Sequence, residues 1–218
     1  MTLKTYIENK RNNRFTHAGI EVIVKNFPEN VNLSKVLSMV TSSIPRKLLS
    51  NVERILIGQF EELQRRKIQA MYKDKTVYVT STQDNDQDML DDIIHEVAHS
   101  VEEIYQQYLY SDSEIKDEFL EKRKNMWMTL RDNEIPADIK DFLNTDFDEN
   151  FDKYLYSKIG YPIVSALCSR IFYSPYASTS LREYFANGFE AFFMREDIDR
   201  LQKISPKLYK KIVGLLEV

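Results

Sequence analysis

Apolar residues recur at helical spacing between Asp86 and about Tyr108. Leu90, Ile93, Ile94, Val97, Val101, Ile104 and Tyr108 fall on one stripe, which predicts a long amphipathic helix with Asp84 or Asn85 as its cap. The 80 residues before it read differently. Glu21–Lys25, Arg54–Gly58 and Lys75–Thr80 are short β-branched runs and predict strands. In the third run Val77 and Val79 alternate with Thr76, Tyr78 and Thr80. That pattern predicts a sheet edge along which an extended peptide could add. Two short helices, Ser34 to about Ser42 and Pro45 to about Asn51, are predicted between strands. Met1–Phe15 reads as a loose basic arm with a short helix, and Glu61–Met71 as weakly helical or irregular.

After Tyr110 the pattern is helical almost throughout. Helices are predicted over Ser113–Arg131, Pro136–Asn144, Phe151–Ile159 and Ile163–Phe172. Ser180 caps Leu181–Met194 with Glu183 at the third helical position, and Pro206 opens a last helix to about Leu216. The expectation is a single α+β domain over residues 1–218. Residues 1–80 hold a small sheet, and residues 81–218 are mainly helical.

The long helix carries the clearest chemistry. His95-Glu96-Val97-Ala98-His99 reads H-E-x-x-H. Residues four apart lie one above the other on a helix, so both imidazoles can face one metal ion. Glu96 lies about 100° around the helix from His95, beside the metal, where a carboxylate can take a proton from a bound water. The chain has three histidines, and two of them fall in this motif.

Composition narrows the classes. A formal charge of −4 argues against a nucleic-acid partner. No run approaches the ~20 apolar residues of a membrane helix. Met1–Asn13 has charges but no apolar core, so no secretory signal is expected, and the protein is expected to be cytoplasmic. Five glycines argue against a phosphate-cradling loop. The one cysteine, Cys168, lies in an apolar run and reads as a small buried residue in a reducing compartment. The acidic stretches Asp84–Asp88 and Asp146–Asp152 lack the turn glycine of a calcium loop and read as caps or solvated loops.

A catalytic zinc site takes three protein ligands and leaves a position for water. The remaining histidine, His17, lies far upstream, so a carboxylate is the expected third ligand. The aromatic helix Leu181–Met194 is its best source, with Glu183, Asn187 and Glu190 on one stripe. Glu183 could instead do no more than close the capping box with Ser180. Asn187 or Glu190 could support an imidazole through its second nitrogen.

His95-Glu96-x-x-His99 followed by Glu183-Tyr184-Phe185-Ala186 resembles the gluzincin metallopeptidases, most of all the group of anthrax lethal factor and the Pro-Pro endopeptidases. The resemblance implies a zincin-like fold and a Zn2+ cofactor held by His95, His99 and Glu183. It implies Glu96 as general base and Tyr176, seven residues before Glu183, as a donor to the oxyanion. The interval from His99 to Glu183 is about twice as long as in that group. The excess reads as inserted helices, roughly residues 113–151, forming a cleft wall or lid. The cytosolic ImmA/IrrE-type regulatory proteases share H-E-x-x-H and a glutamate helix, and rank second.

The expected function is zinc-dependent hydrolysis of a peptide or protein substrate. Two readings compete with it: a catalytically inactive binding protein on the same scaffold, and a closed structural zinc site. The presence of Glu96 argues against the first. The scarcity of cysteine argues against the second. Substrate and oligomeric state are not legible.

Overall fold

In the computed structural model the described residues are 13–195 and 197–217. The fold is α+β, with a small mixed sheet in the N-terminal part and a mostly helical C-terminal half. The chain forms two compact units, Met1–Ile104 and Tyr105–Val218. The predicted helix in the N-terminal arm lies outside the described residues.

The first unit is built on five strands: β1 (Arg14–His17), β2 (Ile20–Val24), β3 (Arg54–Gly58), β4 (Ala70–Lys73) and β5 (Thr76–Thr80). Their order is β1-β2-β3-β5-β4. Strands β2, β3 and β5 pair in parallel, and β1 and β4 close the two edges in antiparallel pairs. Each parallel step needs a crossover. Helix α1 (Leu33–Ser43), capped by Asn32, lies between β2 and β3, while α2 (Glu61–Arg66) and β4 lie between β3 and β5. Val22, Val24, Ile55, Ile57, Val77 and Val79 fill the sheet's core.

Both hairpins turn on two residues with positive φ, Ala18-Gly19 at +50° and +92° and Asp74-Lys75 at +48° and +58°. Such pairs give the turn whose twist matches the flanking strands. Two strands went unread in the sequence. β1 overlaps the end of the predicted arm Met1–Phe15, and β4 overlaps the end of the stretch Glu61–Met71 that reads as weakly helical or irregular, because its turn carries no glycine. The predicted edge is also corrected. Thr76–Thr80 is an interior strand with Thr76 and Thr80 buried, and β4 is the edge. The segment Pro45–Asn51 forms successive three-residue turns rather than a helix.

Helix α3 (Asp86–Tyr110) begins in this unit, where Asn85 Oδ1 accepts from the N–H groups of Gln87 and Asp88. Leu90, Ile93, Ile94, Val97 and Val101 are buried as the stripe predicts, together with Met89 and Ala98, but Ile104 is half exposed. Full burial of each large apolar side chain contributes about 1.5–3 kcal/mol before entropy is counted. The backbone leaves helical values at Tyr105 (φ −98°, ψ 15°).

The second unit holds α4 (Glu114–Asp132), α5 (Ile139–Leu143), α6 (Glu149–Lys153), α7 (Tyr161–Cys168), α8 (Leu181–Met194), α9 (Ile198–Ile204) and α10 (Pro206–Gly214). A π-type stretch, Tyr154–Ile159, continues α6 up to Gly160 at φ +90°, and a 3-10 turn, Tyr176–Ser178, precedes α8. The predicted helices over 136–144, 151–159 and 163–172 are thus shorter or displaced, and α9, capped by Asp197, was not foreseen. Phe119, Phe172 and Tyr184 form an aromatic core with centroids 5.5–6.0 Å apart. Glu118 accepts from the Tyr184 hydroxyl and from the N–H groups of Lys207 and Leu208, capping the start of α10. No helix among the described residues is long and apolar enough to cross a membrane.

Candidate metal centre and its surroundings

Among the described residues, one group of three or more His, Cys, Asp or Glu side chains could hold a metal ion: His95, Glu96 and His99. Their candidate ligand atoms lie within 4.8 Å of one another, and the two imidazoles meet edge to face with centroids 5.1 Å apart. His95 and His99 supply two imidazole nitrogens, a donor type that zinc takes, with the Glu96 carboxylate beside them. His99 and Glu96 are buried and His95 is half-buried.

Two contacts surround these side chains. His99 Nδ1 faces Glu102 Oε2 at 3.7 Å, one helical turn on. A carboxylate at a ligand's second nitrogen favours metal binding through the first. Glu96 Oε2 accepts from the main-chain N–H of Tyr72 at 2.5 Å, so the carboxylate is held against the edge strand β4. The Tyr72 hydroxyl in turn donates to Glu103 Oε2 at 2.7 Å. Asn51 Nδ2 donates to that hydroxyl at 2.8 Å, to Glu103 at 3.2 Å and to the Ser100 carbonyl at 3.2 Å. Burial and the neighbouring Glu103 carboxylate push the Tyr72 phenol well above its ordinary range, so it remains a donor. His17 takes no part in the group, and its Nε2 lies 3.2 Å from Thr41 Oγ1.

No known protein family, curated protein or solved structure matches this chain. The resemblance to gluzincins therefore rests on the motif residues themselves.

The remaining predicted site residues belong to the second unit, and Glu183 is not part of the His95-Glu96-His99 group. Ser180 Oγ accepts from the Glu183 N–H at 3.1 Å, as the capping pattern predicts, and the Glu183 side chain is half-buried. Tyr176 opens the 3-10 turn just before α8. Asn187, one turn beyond Glu183, accepts from the Ser174 hydroxyl, and Ser174 Oγ accepts from Ala177 N–H at 3.2 Å. Asn187 thereby ties the Tyr176 turn to α8. Glu190 is half-buried on the same helix.

Sequence reasoning missed Tyr161 and Asp152. The Tyr161 hydroxyl donates to Asp152 Oδ1 at 3.0 Å. Burial first, then Asp152, Tyr176 and Glu183, push the Tyr161 phenol far above its ordinary range, which puts it in the electrostatic neighbourhood of both predicted residues. Glu102 had a legible signal in its three-residue spacing from His99, whereas Tyr72 had none. Cys168 is buried, as expected, and burial pushes its thiol up to about 11.

Proposed function

We propose that the chain is a zinc-dependent metallopeptidase with a zincin-like fold. His95 and His99 would hold the ion, with Glu183 as third ligand. The observation that carries this reading is the clustering of His95, Glu96 and His99 on one helix, with Glu96 held against the edge strand. A bound zinc ion would supply an acidified water and a Lewis acid for the scissile carbonyl. Glu96 takes the proton and returns it to the leaving amine. The Tyr176 hydroxyl donates to the developing oxyanion.

The test is zinc content and hydrolysis of a mixed peptide library by wild type, His99→Ala, Glu183→Ala and Glu96→Gln. About one zinc per chain is expected in wild type and Glu96→Gln, and a reduced content in the other two variants. Hydrolysis should fall about 10²–10⁴-fold in Glu96→Gln. A wild-type chain that takes up no zinc would overturn the reading and leave the helix as part of a binding protein. Unchanged zinc content in Glu183→Ala would overturn the third-ligand assignment alone.

A further inference from the structure

Arg123 lies in the middle of α4 and is 1% exposed. Its guanidinium donates to three main-chain carbonyls. Nη1 donates to Ser178 O and, at 3.3 Å, to Thr179 O, while Nη2 donates to Asp141 O in α5. The Phe151 ring stacks 4.0 Å from the guanidinium carbon, with Phe119 and Phe142 at 5.4 and 5.5 Å. Nε is buried without a hydrogen-bond partner. The three bonded acceptors are all neutral. A buried cation in such surroundings carries a desolvation penalty that an apolar side chain of similar volume would avoid. Burial pulls its pKa down to about 9.

What this arrangement accomplishes follows from which carbonyls it reaches. Ser178 and Thr179 link the turn that begins at Tyr176 to Ser180, the residue whose hydroxyl caps α8 at Glu183. One arm of the fork, Nη1, bonds the two successive carbonyls while the other, Nη2, is anchored on α5, so the rigid guanidinium joins the turn to a second element, which an apolar group cannot do and a flexible ammonium does less well. The opposite end of the turn is held by Ser174 and Asn187. The turn is thus clamped from both sides, and one clamp comes from the helices between the two motifs.

We infer that Arg123 is a positioning residue: its bonds to the Ser178 and Thr179 carbonyls set the placement of Tyr176 and Glu183. The helices inserted between His99 and Glu183 then act as a buttress for the Glu183 segment. The inference rests on the metallopeptidase reading for its consequence, but the clamp itself can be tested without metal.

The experiment uses the full chain as wild type, Arg123→Met, Arg123→Lys, Glu183→Gln and the double variant Arg123→Met/Glu183→Gln. In the metal-free protein, amide exchange over Ala177–Glu183 should speed up about tenfold in Arg123→Met, with the strands of the sheet unchanged. Arg123→Lys should recover part of the protection and keeps the test open if Arg123→Met fails to fold. Zinc affinity, read by chelator competition, should fall about 10-fold in Arg123→Met. The double variant should bind no more weakly than Glu183→Gln alone, because both changes act through one ligand. Unchanged exchange over Ala177–Glu183, or additive losses in the double variant, would overturn the inference. A wild type without zinc would overturn the metallopeptidase reading, and the exchange measurement would still decide the clamp.

Discussion

The main-chain N–H of Tyr72 donates to the carboxylate of Glu96 across 2.5 Å. A residue of the edge strand thus holds the side chain proposed as general base. Hydrogen bonds to charged groups contribute about 1.5–3 kcal/mol. In Glu96→Ala the Tyr72 amide should therefore exchange at least about tenfold faster, while amides of the interior strand β5 keep their rates. Residue-resolved exchange by NMR checks this. Equal rates at Tyr72 in both proteins would show that the carboxylate does not hold the strand.

Tyr72→Phe separates the side chain of Tyr72 from its backbone. The N–H to Glu96 remains, but Glu103 and Asn51 lose the hydroxyl they share. The expected stability loss is about 1–2 kcal/mol, measured as a lower urea midpoint with an unchanged slope. Zinc content should not change.

Lys122 gives a pH-dependent prediction. It donates to the carbonyls of Ile171 and Ile204 and faces the rings of Phe172 and Tyr184. Burial pulls its pKa down to about 8, opposed by the charges of Glu118 and Glu121. The unfolded chain binds this proton up to about pH 10.4, so folding is favoured by its release. That contribution is fully present above the unfolded value and is lost as the pH falls through about 8. The stability difference between wild type and Lys122→Met should therefore shift towards wild type between pH 8 and 10, by on the order of 1 kcal/mol or more. Urea titrations across that range test it, and a flat difference would rule it out.

Gly188 sits on α8 where a Cβ would come within 2.4 Å of Leu208 Cδ2 and 3.0 Å of its Cγ. Gly188→Ala must displace α10 or force Leu208 from its rotamer. Such overpacking costs about 1–3 kcal/mol, more than the helix propensity gained. Thermal unfolding should show a lower midpoint for this variant.

Much of the architecture was readable locally. The caps at Asn85 and Ser180 and the apolar stripe of α3 depend on neighbouring residues, and sequence spacing exposes them. Strand β4 did not follow from such rules, because its turn uses Asp74-Lys75 at positive φ, where glycine or asparagine is the usual signal. The edge was consequently misplaced by one strand. The candidate site divides in the same way. The His95-Glu96-His99 group follows from helical spacing alone. Its attachment to Tyr72 pairs residues 24 apart, and Arg123 reaches carbonyls 55 and 56 residues away. No local pattern encodes contacts of that range.

Strand β4 has a last consequence. It is four residues long, paired on one side, and its outward N–H at Tyr72 is already bonded to Glu96. Exposed strand edges are templates for pairing with other chains, and short length and nearby charge discourage it. The Glu96 carboxylate thus occupies a donor that this edge would otherwise offer to another chain, so its removal would leave that donor open to self-association.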